Sequence, residues 1–367
     1  MEPVTYASAG VDVEAGDRAV ELMKAAVART HGAEVIGGIG GFAGLFDASA
    51  LLGYRRPLLA TSTDGVGTKI AVAQALDKHD TVGLDLVAMV VDDIVVSGAK
   101  PLFMTDYIAC GRVVPERIAA IVTGIAAGCR LAGCALLGGE TAEHPGVMGP
   151  DEYDLAGAAV GVVEADDLLG PHRVRPGDVV IAMASSGLHS NGFSLVRRVL
   201  DVAGWSYHRQ VDELGRTVGE ELLEPTRIYA ADVVDLADTL GAGLHAVSHV
   251  TGGGLAANLA RVLPPHLEAL LDRSTWSPAP VFGLVAGLGG VPRADLERTL
   301  NLGVGMVAVL AADRVDAAVR RLAARGVPCW VVGSVDLQGT TAGGDVTQGA
   351  KGVQGGAVRL IGEHPVA

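Results

Sequence analysis

Apolar and polar positions along the chain switch between two periods, and the switches mark its elements. Over residues 12–31, apolar residues recur at helical spacing behind acidic positions that suit a helix start. Residues 57–60 open a strand that gives way to small hydroxylated residues and then to a turn with one carboxylate, two glycines and Lys69. The stretch 82–97 is apolar on most sides, so it is predicted to be a buried helix, yet it carries Asp85, Asp92 and Asp93. Asp85 and Asp92, seven residues apart, share a face, and Asp93 lies beside them. Carboxylates out of water need a metal ion, a lysine or several donors.

The same reading predicts strands over 101–109, 134–140, 153–163, 179–184, 303–310 and 329–335. It predicts helices over 115–132, 195–200, 226–241, 255–263, 279–288, 293–300 and 313–325. Turn residues and charge cluster at 165–177, where a first domain ends. The expected division is 1–168, 169–337 and a Gly-rich segment with tail at 338–367. Within the last piece, 338–356 reads as disordered and 357–362 as an edge strand. Strands alternating with helices in two blocks give an α/β fold of α+β type with two domains.

The 367 residues allow two full cores, built from Val, Leu, Ala and Ile because aromatics make up 4%. A net charge of −14 argues against a nucleic-acid surface and confines anion binding to local pockets. The four cysteines form no CxxC pair and read as free thiols of a reducing, cytoplasmic compartment. No leader-like N-terminus and no membrane-length apolar run is seen, so no membrane partner is expected.

The chemistry concentrates at Thr61-Ser62-Thr63-Asp64-Gly65-Val66-Gly67-Thr68-Lys69. Glycines let the backbone approach a ligand closely, and successive N–H groups there hold an anion. A carboxylate and a lysine on the same turn suit a nucleoside triphosphate with magnesium. A Walker A loop is absent, and the glycine run 37–44 has Ala43 where a dinucleotide fingerprint needs its third glycine. That run reads as a flap for phosphates. Glu140 closes a strand behind Gly138 and Gly139, repeating the pattern at Asp64. The loop 185–194, between strand and helix, and the three glycines after Thr251 are further anion-binding turns.

Several strings occur in a telling order: Thr63 to Lys69, His79 to Met89, Gly138 to Glu143, Ser185 to Arg197, His249 to Gly254 and Asn301 to Met306. Together they make the chain, over about residues 5–337, resemble the aminoimidazole ribonucleotide synthetase (phosphoribosylformylglycinamidine cyclo-ligase) family. The resemblance implies an enzyme that uses ATP and Mg2+ to cyclise formylglycinamidine ribonucleotide to 5-aminoimidazole ribonucleotide, releasing ADP and phosphate. It implies a homodimer whose N-terminal sheets pool into a central β-barrel, with no nucleic acid as partner. By resemblance, Asp64, Asp93 and Glu140 hold magnesium. Gly40, Gly41, Gly65, Gly67, Thr68, Lys69, Asp106, Gly138 and Gly139 bind ATP, with Lys69 on the phosphates. Ser186, His189, Asn191, Thr251, Gly252, Gly253 and Gly254 bind the substrate, with His189 as proton shuttle.

The chain departs from the family pattern at three residues and in its Gly-rich segment after 338, which has no counterpart there. Asp92-Asp93 stands for a usual Asn-Asp, His144 for a methionine, and Leu302 for a common cysteine. Selenophosphate synthetase would carry a reactive Cys near the N-terminus, and none precedes Cys110. Thiamin monophosphate kinase leaves the 185–197 and 249–254 strings unexplained. A subunit that holds ATP without turning it over has no need of Asp64, Lys69, Asp93 and Glu140.

Overall fold

The computed structural model describes residues 10–350 and 352–365. Helix α1 (Val13–Ala28) starts where the Asp12 carboxylate accepts from the Ala15 N–H, as an N-cap does. A two-residue pairing of β1 (Val35–Ile36) with β2 (Leu45–Phe46) closes the glycine run 37–44 into a loop. Strand β3 (Pro57–Gly65) then leads through a single turn of 3-10 helix into α2 (Ile70–Leu76). Helix α3 (Val82–Val95), β4 (Lys100–Cys110), α4 (Pro115–Ala132), β5 (Ala135–Glu143) and β6 (Tyr153–Glu164) complete the first domain. Its sheet has the order β3-β6-β4-β5, antiparallel except for the β4–β5 pair.

The second domain starts at β7 (Val179–Ala184) and α5 (Phe193–Ala203). A small excursion follows through β8 (Gln210–Val211), β9 (Arg216–Thr217) and α6 (Val218–Leu222). Then come α7 (Ala230–Leu240), β10 (Leu244–His249), α8 (Gly254–Ala260), β11 (Leu267–Asp272), α9 (Pro280–Gly289), α10 (Arg293–Thr299), β12 (Val304–Leu310), α11 (Val315–Ala324) and β13 (Cys329–Leu337). Two last strands, β14 (Asp345–Ala350) and β15 (Val353–Ile361), finish a seven-stranded mixed sheet ordered β10-β12-β7-β13-β11-β15-β14.

One continuous apolar core joins the two domains, and α3 runs through it. Nine of its apolar side chains are buried, on every face. It packs on β3, β4 and β6 on one side and on α7 of the second domain on another. Where α3 crosses α4 there is no room for a side chain. A Cβ on Gly83 would stand 2.4 Å from the Ile121 carbonyl and 2.4 Å from the Ile125 nitrogen, both backbone atoms.

The structure departs from the sequence reading at its C-terminal end. The segment expected to be disordered forms β14 and the start of β15, held by main-chain pairing and by Arg273, which donates to Asp345 at 2.7 Å. Strand β15 lies inside the sheet, parallel to β11, so β14 is the edge instead. The helix expected from 226 begins only at Ala230, because the Thr226 and Tyr229 N–H groups are given to aspartates of α3. Strand β11 had no counterpart in the reading. A mixed α/β fold stands, and in one chain the four-stranded sheet is open rather than a barrel.

Gly83→Ala is expected to destabilise the protein by about 2 kcal/mol, since backbone on both sides must shift to admit the methyl. Calorimetric melting of the variant beside the parent checks this.

Candidate active site

The pairing register sets several of the expected ligand-binding residues in a row. Asp64 of β3 lies opposite Gly157 of β6, Gly157 opposite Asp106 of β4, and Asp106 opposite Gly139 of β5. At the usual strand spacing, Asp64 and Asp106 are about 10 Å apart on one face. Gly157 stays bare because a Cβ there would meet Met104 at 2.3 Å.

Below the Asp64 turn, Lys69 does not reach for a phosphate. Its side chain is fully buried, and its ammonium donates to Asp85 Oδ1 at 2.9 Å, the His189 carbonyl at 3.2 Å and the Glu224 carbonyl at 2.6 Å. This corrects the expected phosphate contact: an ammonium has three donors, and all three are taken. The same Asp85 oxygen accepts from the Thr226 N–H at 2.8 Å and the Thr226 hydroxyl at 2.6 Å. The Ser190 hydroxyl lies 3.0 Å from that of Thr226. Of the cation types foreseen for the α3 carboxylates, Asp85 thus receives a lysine.

Asp92, one turn pair further along α3, is sealed from water and accepts from the Tyr229 N–H at 3.0 Å. Burial raises its carboxyl to about 7, against the pull of His249 and that N–H. Asp93 points outward and meets His249 Nδ1 at 2.9 Å. Burial opposes charge on His249, but the bond to Asp93 and the nearby Asp92 and Asp64 carboxylates outweigh it and raise the imidazole. His249 Nε2 is buried, with no partner among the described residues. The structure therefore gathers Asp64 and Asp93 around His249. Glu140 stands on β5, at the opposite edge of the sheet from β3. No cluster of three or more metal-binding side chains occurs among the described residues.

Two hollows divide the remaining site residues. Gly40, Gly41, Asp106, Gly138, Gly139 and Glu140 line a cavity of about 320 Å³, walled by α1 residues such as Ala19 and Met23. Asp64, Gly65, Gly67, Thr68 and Asn191 line a cleft of about 820 Å³ together with Ser190, Phe193 and Ser194. The Thr68 and Ser194 hydroxyls, from the two domains, are 3.0 Å apart across it. Gly252 abuts this group, since a Cβ there would lie 3.3 Å from Asn191 Oδ1. The Thr251 carbonyl accepts from Asn258, and Gly253 takes a φ of +113°. Gly254 is bare for packing reasons, as a Cβ would fall 1.7 Å from the Glu297 carbonyl.

Two of the expected substrate residues sit elsewhere. Ser186 faces a separate groove with Thr226 and Arg227, its hydroxyl donating to the Pro225 carbonyl. His189 is buried, and its Nε2 accepts from the Ser186 N–H at 3.1 Å. Burial first, then the nearby His249, Lys69 and Arg227, push it well below the usual imidazole range, so it stays neutral. Walled in this way, it is not presented as a shuttle at the cleft. The residues missed from the sequence are His249, Ser194, Thr226 and Tyr229. The first two lay inside quoted strings, but only the fold shows that His249 meets Asp93. Nothing local marks Thr226 or Tyr229, whose N–H groups matter through contacts made from about 140 residues away.

Family models match both domains: "AIR synthase related protein, N-terminal domain" over residues 47–163 and "AIR synthase related protein, C-terminal domain" over 175–344. The fold agrees with solved structures. A thiamine-monophosphate kinase from Stenotrophomonas maltophilia K279a aligns with TM-score 0.64 at 19% identity, over 95% of this chain and 97% of that one. A hydrogenase maturation protein HypE in complex with ATP aligns with TM-score 0.59 at 18% identity, over 88% of this chain and 87% of that one. The two matched domains define an AIR synthase related protein. Among curated relatives, the phosphoribosylformylglycinamidine cyclo-ligase of Anaeromyxobacter sp. (strain Fw109-5) is 52% identical, covering 91% of this chain and 96% of its own. That of Geobacillus kaustophilus (strain HTA426) is 49% identical, covering 90% and 95%. The chain belongs to the phosphoribosylformylglycinamidine cyclo-ligase family, the ligases of purine biosynthesis.

Asp106 gives this site a measurable pH signature. Burial raises its carboxyl to about 7, opposed by a backbone hydrogen bond. The folded state therefore holds a proton that the unfolded chain releases near pH 4, and stability falls as pH rises from there to about 7. Asp106→Asn is expected to match the parent at pH 4 and to exceed it at pH 8 by about 2 kcal/mol, the half-buried position discounting the full shift. Melting curves at the two pH values read the difference.

Proposed function

We propose that this chain closes the imidazole ring of 5-aminoimidazole ribonucleotide from formylglycinamidine ribonucleotide at the expense of ATP. The observation that carries the reading is the cleft where the Asp64–Thr68 turn of one domain faces the Ser190–Ser194 loop of the other. Phosphoryl transfer needs a donor and an acceptor held in line, and two anion-binding turns from two domains supply such a frame. The ring closure also fits the substrate's chemistry. The formamide oxygen attacks the γ-phosphorus and ADP leaves. The amidine nitrogen then adds to the activated carbon, loses its proton, and the carbon–oxygen bond breaks to release phosphate.

In this reading the N–H groups of Gly67 and Thr68 hold phosphate oxygens, as successive backbone donors on a turn do, while the Gly65 N–H is given to Asp64 Oδ1 at 2.7 Å. The glycine run with Gly40 and Gly41, and Gly138, Gly139 and Asp106 across from it, form the nucleotide's other contact. Asn191 with Thr251 and Gly252 takes the substrate, and the neutral Nδ1 side of His189 stands behind that loop. Magnesium, when bound, neutralises charge building on the transferring phosphoryl group. One chain offers it Asp64 and Asp93, and Glu140 joins them only from a second copy.

A homodimer is supported by the bare face of the four-stranded sheet. Leu59 is 65% exposed and Tyr107 40% exposed there, beside the exposed Thr61, Thr63 and Thr105. The outer sides of both edge strands, β3 and β5, have no partner strand among the described residues. No helix among the described residues is long and apolar enough to cross a membrane, and a cytoplasmic place fits purine synthesis.

ADP release tests the activity. It is expected only when formylglycinamidine ribonucleotide is added with magnesium–ATP, whereas ATP binding without release would point to a silent nucleotide-binding subunit. Asp64→Asn is expected to lower kcat by at least about a hundredfold while sedimentation still shows a dimer. Leu59→Lys is expected to shift the same sedimentation profile towards the monomer.

A further inference from the structure

We infer that Lys69 is a positioning residue that moors the substrate loop to the ATP turn and so couples the two ligands; this rests on the proposed assignment of the turns. Lys69 closes the turn that begins at Asp64, and its ammonium ends beneath the cleft, 5.5 Å from the Phe193 ring centroid. From there it holds three distant pieces of chain: Asp85 on α3, the His189 carbonyl and the Glu224 carbonyl.

Two of these acceptors are main-chain oxygens, so the ammonium fixes backbone rather than one side chain. His189 has a φ of +62°, a left-handed conformation that a residue with a Cβ keeps only under constraint. The constraint is visible: its carbonyl is held by Lys69 and its imidazole by the Ser186 N–H. Asn191 and Gly192, next in the chain, line the cleft. The strap 224–229 is caught by the same device, through Glu224 and through Thr226 on Asp85. Thr226 reaches back to Ser190, closing the circuit. A ligand that settles the Asp64–Thr68 turn thereby settles Lys69, and with it the loop that carries Asn191. Such coupling is reciprocal by necessity.

Removing the lysine alone would leave Asp85 buried and uncompensated, so the test removes both charges with Lys69→Met/Asp85→Asn. Thr226→Val, which leaves the Asp64–Thr68 turn untouched and removes the hydroxyl that ties Asp85 to Ser190, is the second variant. If the inference holds, both variants exchange backbone deuterium over 185–194 and 224–229 at least about tenfold faster than the parent. Their KM for formylglycinamidine ribonucleotide rises at least about tenfold, while their affinity for a magnesium–ATP analogue stays within about threefold. A loss of analogue affinity above about tenfold in the double variant would make Lys69 a phosphate ligand and overturn the inference. Unchanged exchange in both variants would overturn it too. The exchange readout needs no turnover, so a parent enzyme inert towards formylglycinamidine ribonucleotide would sink the proposed activity and leave the mooring judged on exchange.

Discussion

A lysine and an aspartate, both sealed from water, set the geometry on which the rest of the molecule depends. Burying either charge alone is costly, and breaking such a pair from one side typically costs about 3–5 kcal/mol. Here the cost is met by donors and acceptors drawn from four places in the chain: residues 69, 85, 189 and 224–226. Apolar packing could hold the same segments together, but it tolerates sliding. An ammonium with three acceptors at 2.6–3.2 Å does not, because each displaced partner becomes a buried unsatisfied group. The two domains therefore meet in one register, and the ligand turns that flank the pair inherit it.

Helix α3 extends that logic along its length. Asp85 takes an ammonium, Asp92 takes the free N–H at the start of the strap's last residue, and Asp93 takes an imidazole at the rim. Three carboxylates on one buried helix thus answer a lysine of their own domain and two parts of the second, the 224–229 strap and His249. The additional carboxyl at Asp92, where the resembled pattern has an amide, adds less charge than its formula suggests, since burial raises it to about 7. A group that is half protonated near neutrality resembles an amide in shape and partly in charge.

Much of this was legible from residue patterns, and the limits are physical. The helix 115–132 and the strand 179–184 were read to the residue, because Pro115 and the apolar run bounded by polar turns fix their ends locally. The burial of α3 and the need of its aspartates for partners followed from composition alone. The chain could not disclose which cation answered Asp85, since the lysine sixteen residues away also ended a phosphate-like turn. Residues 226–229 read as helix by propensity, and tertiary hydrogen bonds to α3 overrode that preference. The segment 338–356 looked disordered because Gly, Thr and Gln carry little apolar signal. Its strand is held by the neighbouring strand's backbone and by Arg273, neither of which composition reveals.

The charge balance gives the site its final constraint. A protein of net charge −14 must attract a triphosphate and a sugar phosphate without a broad basic surface. Lys69 cannot supply the field, because Asp85 cancels it at 2.9 Å. What remains at the cleft is the backbone: the N–H groups of the turn at Gly67 and those of the Asn191–Gly192 turn, where Gly67 and Gly192 take φ values of +76° and +82°. Partial charges of that kind are weak at a distance and strong at contact. Attraction by backbone donors therefore selects by shape, admitting a phosphate that fits the turn and ignoring anions that do not. Asp64 also lines this cleft, and a carboxylate there repels incoming phosphates unless a cation stands between them. The acidic rim and the neutralised lysine thus belong together: under the proposed function anion affinity rests on fixed backbone, and a cation brought with the nucleotide would set the sign of the field at the rim.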